Sequence, residues 1–283
     1  MTDPLEYRRA SRERWGKSAR GWLARREQLA RASMPVTLRM VEAIAPQPGH
    51  ALLELAAGIG DTGFYAAELV EPGGTLICSD FAPEMLSAAQ ERARALGLTN
   101  VRFKQIDAET SIDIEAASLD GVICRWGYML MADPVTALQE TRRVLKPGRR
   151  LTLAAWTGPD DNLWSALPAR ELVRRGLVEA PDPAAPGQFT WAPEGMIAER
   201  LRDAGFVDFE VAAVDFAYRY GSPGEWWDST LELSTRFADA TAGMDAATFG
   251  ELRDSLAEAA REFTGEDGSL TIPARTWTAV ATA

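Results

Sequence analysis

Glu54, Asp80 and Asp107 each close a short strand-like run, and Glu54 is followed by the closely spaced glycines of Gly58-Ile59-Gly60-Asp61-Thr62-Gly63. An acid at a strand end can accept hydrogen bonds from an amine or from sugar hydroxyls. Glycines admit a ligand to the backbone where any Cβ would collide. A helix that starts at the end of such a loop offers unpaired N–H groups and a partial positive charge. The apolar run Leu52-Leu53-Glu54-Leu55 before the glycines reads as a buried parallel strand leading through a tight turn into that helix. Together these residues describe a cofactor site.

Two cofactor chemistries compete for it. The glycines spell G-x-G-x-x-G, and an acid follows about twenty residues on, as a dinucleotide fingerprint requires; an NAD(P)-dependent oxidoreductase is therefore one reading. Glu54 opposes it, because a carboxylate beside a pyrophosphate is repelled, whereas an ammonium is attracted. S-adenosylmethionine (SAM) carries an α-amino group, a sulfonium and a ribose, and suits one acid at the end of the first strand and another at the end of the second. A protein that holds SAM without transferring its methyl group is a third reading.

The stretch around Glu54 resembles the first motif of class I SAM-dependent methyltransferases, in which an acidic residue sits four positions before the first glycine of a G-x-G. Ala56 stands where that family usually has an additional glycine. The resemblance implies that Glu54 binds the methionine amino group, that Gly58 and Gly60 admit the cofactor, and that Asp80 holds the ribose. It places Phe81 and Met85 on either side of the adenine, and Asp107 and Ala108 at its amino edge. From Asp133 to Gly148 the chain resembles the "D-P … E-x-x-R-V-L-K-P-G-G" segment of ubiquinone/menaquinone-biosynthesis-type methyltransferases, with Arg149 in place of the last glycine. The likeness covers roughly residues 50–156 and implies SAM as cofactor and S-adenosylhomocysteine as product.

The elements that must position these residues follow from periodicity and breakers. A helix is expected over 5–31, with Gly16 and Gly21 as weak points, and Trp15, Ala19 and Trp22 on one face. Met34-Pro35 opens a second helix that ends at Pro46-Gln47-Pro48-Gly49. Strands ending at Glu54, Asp80, Ile106 and Cys124 alternate with helices, one of them started by Pro83. Lys146 to Arg150 reads as a turn before a fifth strand over 151–156. Helices are expected near 164–176 and 193–204, a strand over 207–218, helix again over 222–264, and a last strand over 269–282. The alternation makes the expected fold class α/β, and the resemblance implies a Rossmann-like class I methyltransferase fold, its sheet of seven strands mostly parallel, with an antiparallel C-terminal hairpin, helices on both faces and helical lid insertions. The expected divisions are an N-terminal helical lid (1–48), a SAM-binding core (49–157), an insertion and helix (158–205), and the hairpin with its own helical insertion (206–283). Ligands in such sheets gather at the carboxyl ends of the strands, where Glu54, Asp80, Asp107 and Arg125 all stand.

The acceptor and the chemistry are less constrained. Aromatic residues crowd the late segments, Trp164, Tyr218, Tyr220, Trp226, Trp227 and Phe237 among them. Most must pack small helices onto the sheet, and the surplus favours a small apolar or aromatic substrate. The single histidine, His50, precedes the first strand, at the end of the sheet away from the site, so a histidine base is not expected. Tyr128 and Arg125 are the polar residues after the fourth strand that could move a proton or orient a ligand; helix packing and a structural salt bridge explain them equally well. Asp160-Asp161-Asn162 resembles the metal acids of catechol-type enzymes, but Arg125-Trp126 stands where their partner acid belongs, and no metal is expected. The net charge of −11 disfavours nucleic acid. Residues 1–31 hold nine basic against four acidic side chains, a local +5 that leaves −16 on the remainder. Cys78 and Cys124 lie in apolar runs as buried thiols, and no stretch reaches the roughly 20 apolar residues of a membrane span. A cytoplasmic protein with a small-molecule substrate and no membrane insertion is the expectation.

Overall fold

A computed structural model describes residues 3–183 and 185–283. Two helices come first, α1 (Pro4–Ala24) and α2 (Arg26–Ile44). Strands and helices then alternate: β1 (Ala51–Glu54), α3 (Asp61–Leu69), β2 (Thr75–Asp80), α4 (Pro83–Leu96) and β3 (Val101–Gln105). The middle of the chain holds β4 (Leu119–Arg125), α5 (Pro134–Val144), β5 (Leu145–Trp156), α6 (Leu163–Arg174) and α7 (Met196–Asp203). It closes with β6 (Val207–Tyr220), α8 (Pro223–Leu233), α9 (Thr235–Thr241), α10 (Ala246–Ala259) and β7 (Leu270–Thr282).

The strands make one sheet in the order β3-β2-β1-β4-β5-β7-β6. β1 through β5 pair in parallel, while β7 runs antiparallel to both of its neighbours. Strand order reverses between β1 and β4, so the carboxyl end of β1 is the crevice where a ligand is expected. β1 can sit there because Leu52 and Leu53 are wholly buried, one against each apolar layer. Val36, Met40 and Ile44 of α2 and Phe64 of α3 cover one face; Leu138 and Val144 of α5 and Leu201 of α7 cover the other. The seven-stranded sheet, its hairpin and the helices on both faces are as the sequence predicts.

Several boundaries differ, each for a physical reason. The N-terminal helix breaks at Arg25 (φ −94°, ψ 10°), not at its glycines. Gly16 and Gly21 stay inside α1 because neighbours press on them: a Cβ on Gly21 would lie 1.9 Å from the Glu232 carbonyl oxygen of α8. Pro35 lies inside α2 and does not open it. The expected turn at 146–150 is the first half of β5, with a register irregularity where β4 pairs shift from Leu119 to Gly121. Arg149 there lies 3.2 Å from Asp120, which also binds Lys146 at 2.9 Å, at the end of the sheet opposite the crevice. The region 222–264 divides into three α-helices, each capped by a side-chain oxygen, from Ser222, Ser234 and Asp245, and a short 3-10 turn at Arg261–Phe263.

Candidate active site

A cavity of about 440 Å³ opens over the carboxyl ends of β1, β2 and β4 and extends beneath α1, α8 and α9. Its first wall is the loop after β1. Glu54 is 2 % exposed, and its Oε1 accepts the Gly63 N–H at 2.9 Å, at the first turn of α3. Gly63 has to be glycine, since a Cβ would stand 2.3 Å from the other oxygen, Oε2. That Oε2 is buried with no hydrogen-bond partner. Burial pushes the Glu54 carboxyl up to about 7, the Gly63 amide and Arg125 opposing it. Ala56, Gly58 and Gly60 all lie in the left-handed region, with φ of 49°, 56° and 81°. Ala56 thus adopts the conformation that a glycine would take freely, at a cost of about 1 kcal/mol.

Asp80 forms the second wall. Its Oδ2 accepts the Gly58 N–H and its Oδ1 the Ala82 N–H, both at 2.9 Å, which ties the loop after β1 to the loop after β2. Burial raises this carboxyl to about 6 in spite of those amides. Each oxygen retains a further lone pair for a ligand hydroxyl. Phe81, Met85, Asp107 and Ala108 line the same end, with Ile59 and Trp15 beside them. Asp107 Oδ1 accepts its own turn's Glu109 N–H at 3.1 Å. All ten residues that the sequence singles out for the cofactor, Glu54, Ala56, Gly58, Gly60, Asp80, Phe81, Met85, Asp107, Ala108 and Arg125, reach this neighbourhood; nine line the cavity, and Gly60 stands behind them as the cap of α3.

Arg125 is engaged within the protein. Its Nη2 lies 3.0 Å from Asp61 Oδ2, its Nη1 donates to Ser33 and Thr37 of α2, and Arg92 holds the other Asp61 oxygen. Its guanidinium also covers the Trp126 ring at 4.6 Å. Tyr128 is not at the cavity. It is 1 % exposed, stacked beside Trp191, with its hydroxyl 2.7 Å from Thr141. The turn after β4 points it into the core, so it moves no proton at this site.

The far half of the cavity is a box of rings. Trp126 stacks on Trp156 (4.2 Å, 12°) and donates to Thr276 Oγ1 at 2.9 Å. Its φ of 60° is rare for a bulky residue, and these contacts hold it there. Trp164 lies 5.3 Å from Trp156 and 4.3 Å from Tyr218. Tyr220, Ser229 and Phe237 complete the wall. From above, Tyr7, Ser11, Ser18 and Trp22 of α1 close it, and the Tyr7 hydroxyl donates to the Leu130 carbonyl at 2.9 Å. His50 stays at the opposite end of β1, where its Nδ1 accepts the Gln47 N–H. Asp160 pairs with Arg170 on the surface, while Asn162 is buried and binds Thr157 and both backbone groups of Arg275. Sequence reasoning missed Asp61, Trp126, Trp156 and Tyr218 as cavity residues. For Asp61 a signal existed, an acid inside the glycine loop ahead of an arginine at a strand end.

The arrangement joins buried acids and a glycine loop, fit for a cation and a ribose, to an apolar ring-lined chamber. A diphosphate would meet the Glu54 carboxyl directly. Comparison with known proteins agrees. Residues 46–171 match the methyltransferase domain family. The demethylmenaquinone methyltransferase of Deinococcus radiodurans is 35 % identical over 200 residues, 65 % of this chain and 77 % of that one. The nocamycin O-methyltransferase of Saccharothrix syringae is 30 % identical over 214 residues, covering 70 % and 75 % of the two chains. Among solved structures the YcgJ protein of Bacillus subtilis shares the fold, with a TM-score of 0.57 at 20 % identity over 87 % of this chain and 97 % of that one. On this sequence kinship, in agreement with the sheet and the glycine loop, the chain belongs to the class I SAM-dependent methyltransferases.

Proposed function

We propose that the protein methylates a small, planar, apolar or aromatic acceptor held in the ring-lined chamber under α1, α8 and α9. The observation that carries this reading is one continuous cavity with buried carboxylates at one end and indole and phenol rings at the other. Relatives named for demethylmenaquinone support an acceptor with a ring and little charge.

In this reading Glu54 pairs with the methionine ammonium, and the side-chain-free surface at Gly58 admits the rest of the amino-acid moiety. Asp80 takes the ribose hydroxyls on its free lone pairs, Phe81 and Met85 enclose the adenine, and Asp107 and Ala108 meet its edge. The place of Glu54 in the cavity lining and the absence of any neighbour within 4 Å of a Cβ built on Gly58 fit this assignment. SAM supplies, when bound, an electrophilic methyl group on a sulfonium. What the chain supplies is position and dryness: in-line attack needs the nucleophile about 3–3.5 Å from that carbon, in a site closed to water. The segment 1–48 acts as the lid through α1, 49–157 as the cofactor half, and the two later segments as the acceptor walls. Among the described residues no histidine reaches the cavity, and the Tyr218 and Tyr220 hydroxyls are raised above the ordinary tyrosine range by burial. In this reading the acceptor arrives nucleophilic, as an enolate, phenolate or electron-rich ring carbon, and its attack does not depend on a histidine base.

The test is incubation with SAM and either a reduced naphthoquinone or a highly charged acceptor such as a nucleotide. S-adenosylhomocysteine should accumulate with the first only. Accumulation only with the charged acceptor would contradict the reading.

A further inference from the structure

Tyr218 offers the ring-lined chamber an unengaged hydroxyl; the Trp22 and Trp164 indole N–H groups also lack partners but are fully enclosed. The side chain is 97 % buried by its 3 % exposure, it lines the cavity, and among the described residues its hydroxyl has no hydrogen-bond partner. That oxygen is nevertheless absent from the fully enclosed, unpartnered atoms of the protein. The small exposed part of Tyr218 therefore includes its hydroxyl, and the space it reaches is the chamber. The Tyr7 phenol above the chamber, by contrast, is engaged, donating to the Leu130 carbonyl. The Tyr218 ring is fixed between Trp164 (4.3 Å) and Phe216 (5.7 Å) on β6, so the hydroxyl has little freedom to turn elsewhere. Its charged neighbours are Arg125 and Asp61, which places it on the side of the chamber that adjoins the loop after β1.

We propose that Tyr218 is the polar anchor of the acceptor subsite, donating a hydrogen bond to an oxygen carried by a planar ring. This rests on the methyltransferase reading above and narrows its substrate class to oxygen-bearing rings: phenols, enols or ring carbonyls. A buried phenol free of protein partners leaves a donor unsatisfied until a ligand oxygen arrives, and such a site discriminates strongly against analogues that lack the oxygen. Tyr218 stays protonated throughout and serves as a donor that positions the ring, with Trp126, Trp156 and Trp164 supplying the apolar contact.

The experiment is equilibrium dialysis of S-adenosylhomocysteine-saturated protein against 2-naphthol and against naphthalene, for wild type and Tyr218→Phe. Wild type should hold 2-naphthol about tenfold more tightly than naphthalene, as one good hydrogen bond in a dry site allows. Tyr218→Phe should lose that ratio while its naphthalene affinity and its calorimetric affinity for S-adenosylhomocysteine stay unchanged; a residue that only packs would not move the ratio. Equal binding of the two probes by wild type, no detectable binding of 2-naphthol, or a ratio preserved in Tyr218→Phe would overturn the proposal. Failure of the protein to bind S-adenosylhomocysteine at all would instead sink the underlying cofactor reading, so the two failures are separable.

Discussion

At the scale of single residues, the acids divide into those poised for a ligand and those already matched. Asp80 is desolvated, and its two backbone bonds do not cancel the cost, since its carboxyl remains raised to about 6. Asp80→Ala should therefore weaken SAM binding about a hundredfold, the loss of two hydrogen bonds to a charged group. Its melting temperature should change by only a few degrees, because removing a buried charge offsets the lost amide contacts; calorimetry and a thermal melt read both. Asp61 is the opposite case, bound by Arg92 and Arg125 at 3 % exposure. Asp61→Ala strands two guanidinium groups and should cost about 3 kcal/mol, which chemical denaturation would measure. The sequence made Glu54 and Asp80 legible because a charged residue ending an apolar run has few structural reasons to be there. It misdirected attention to Tyr128, which follows β4 as a pocket residue would but turns inward to Thr141. Tyr218 was one aromatic among many, and only the pairing of β6 with β7 brings it to the chamber.

At the scale of elements, the proposed lid α1 is tied to α8 by a charged pair. Arg25 reaches Glu232 of α8 through Nε (2.7 Å) and Nη2 (3.0 Å), just where Gly21 lets α1 approach the same residue's carbonyl. A partly exposed pair of this kind contributes well under about 1 kcal/mol to global stability. Arg25→Ala should leave the melting temperature unchanged and speed S-adenosylhomocysteine release several-fold in stopped-flow measurements, as a loosened lid opens more often. Gly21→Ala drives a Cβ into backbone and should destabilise by about 1–3 kcal/mol. Strand positions were readable because parallel strands are continuous apolar runs with turn residues between them. Helix α1 was harder: its glycines look like breaks, and their role depends on Glu84 and Glu232, which lie far along the chain.

At the scale of the whole molecule, the ligand-free protein carries two buried acids whose folded values lie above their ordinary ones, Glu54 (4.5 to about 7) and Asp80 (3.8 to about 6). A raised carboxyl stabilises the fold fully below its unfolded value and loses that contribution as pH climbs through the folded value. The acids with lowered values, Glu171, Asp120 and Glu140, give their full contribution above the ordinary carboxylate range and so do not vary between pH 5.5 and 7.5. The ligand-free protein should thus melt higher at pH 5.5 than at 7.5, and saturating SAM should remove the difference, by favouring the ionised acids. Among the described residues no helix is long and apolar enough to cross a membrane. The most direct test of the account is calorimetric titration with SAM between pH 5.5 and 7.5, for wild type and Glu54→Gln. Wild-type affinity should climb several-fold, with protons released, until Glu54 is ionised near pH 7; Glu54→Gln should bind more weakly, with its remaining pH dependence confined to below about pH 6, where Asp80 titrates. A wild-type affinity that is flat across this range and equal to that of Glu54→Gln would contradict the pairing of Glu54 with the ammonium on which the site assignment rests.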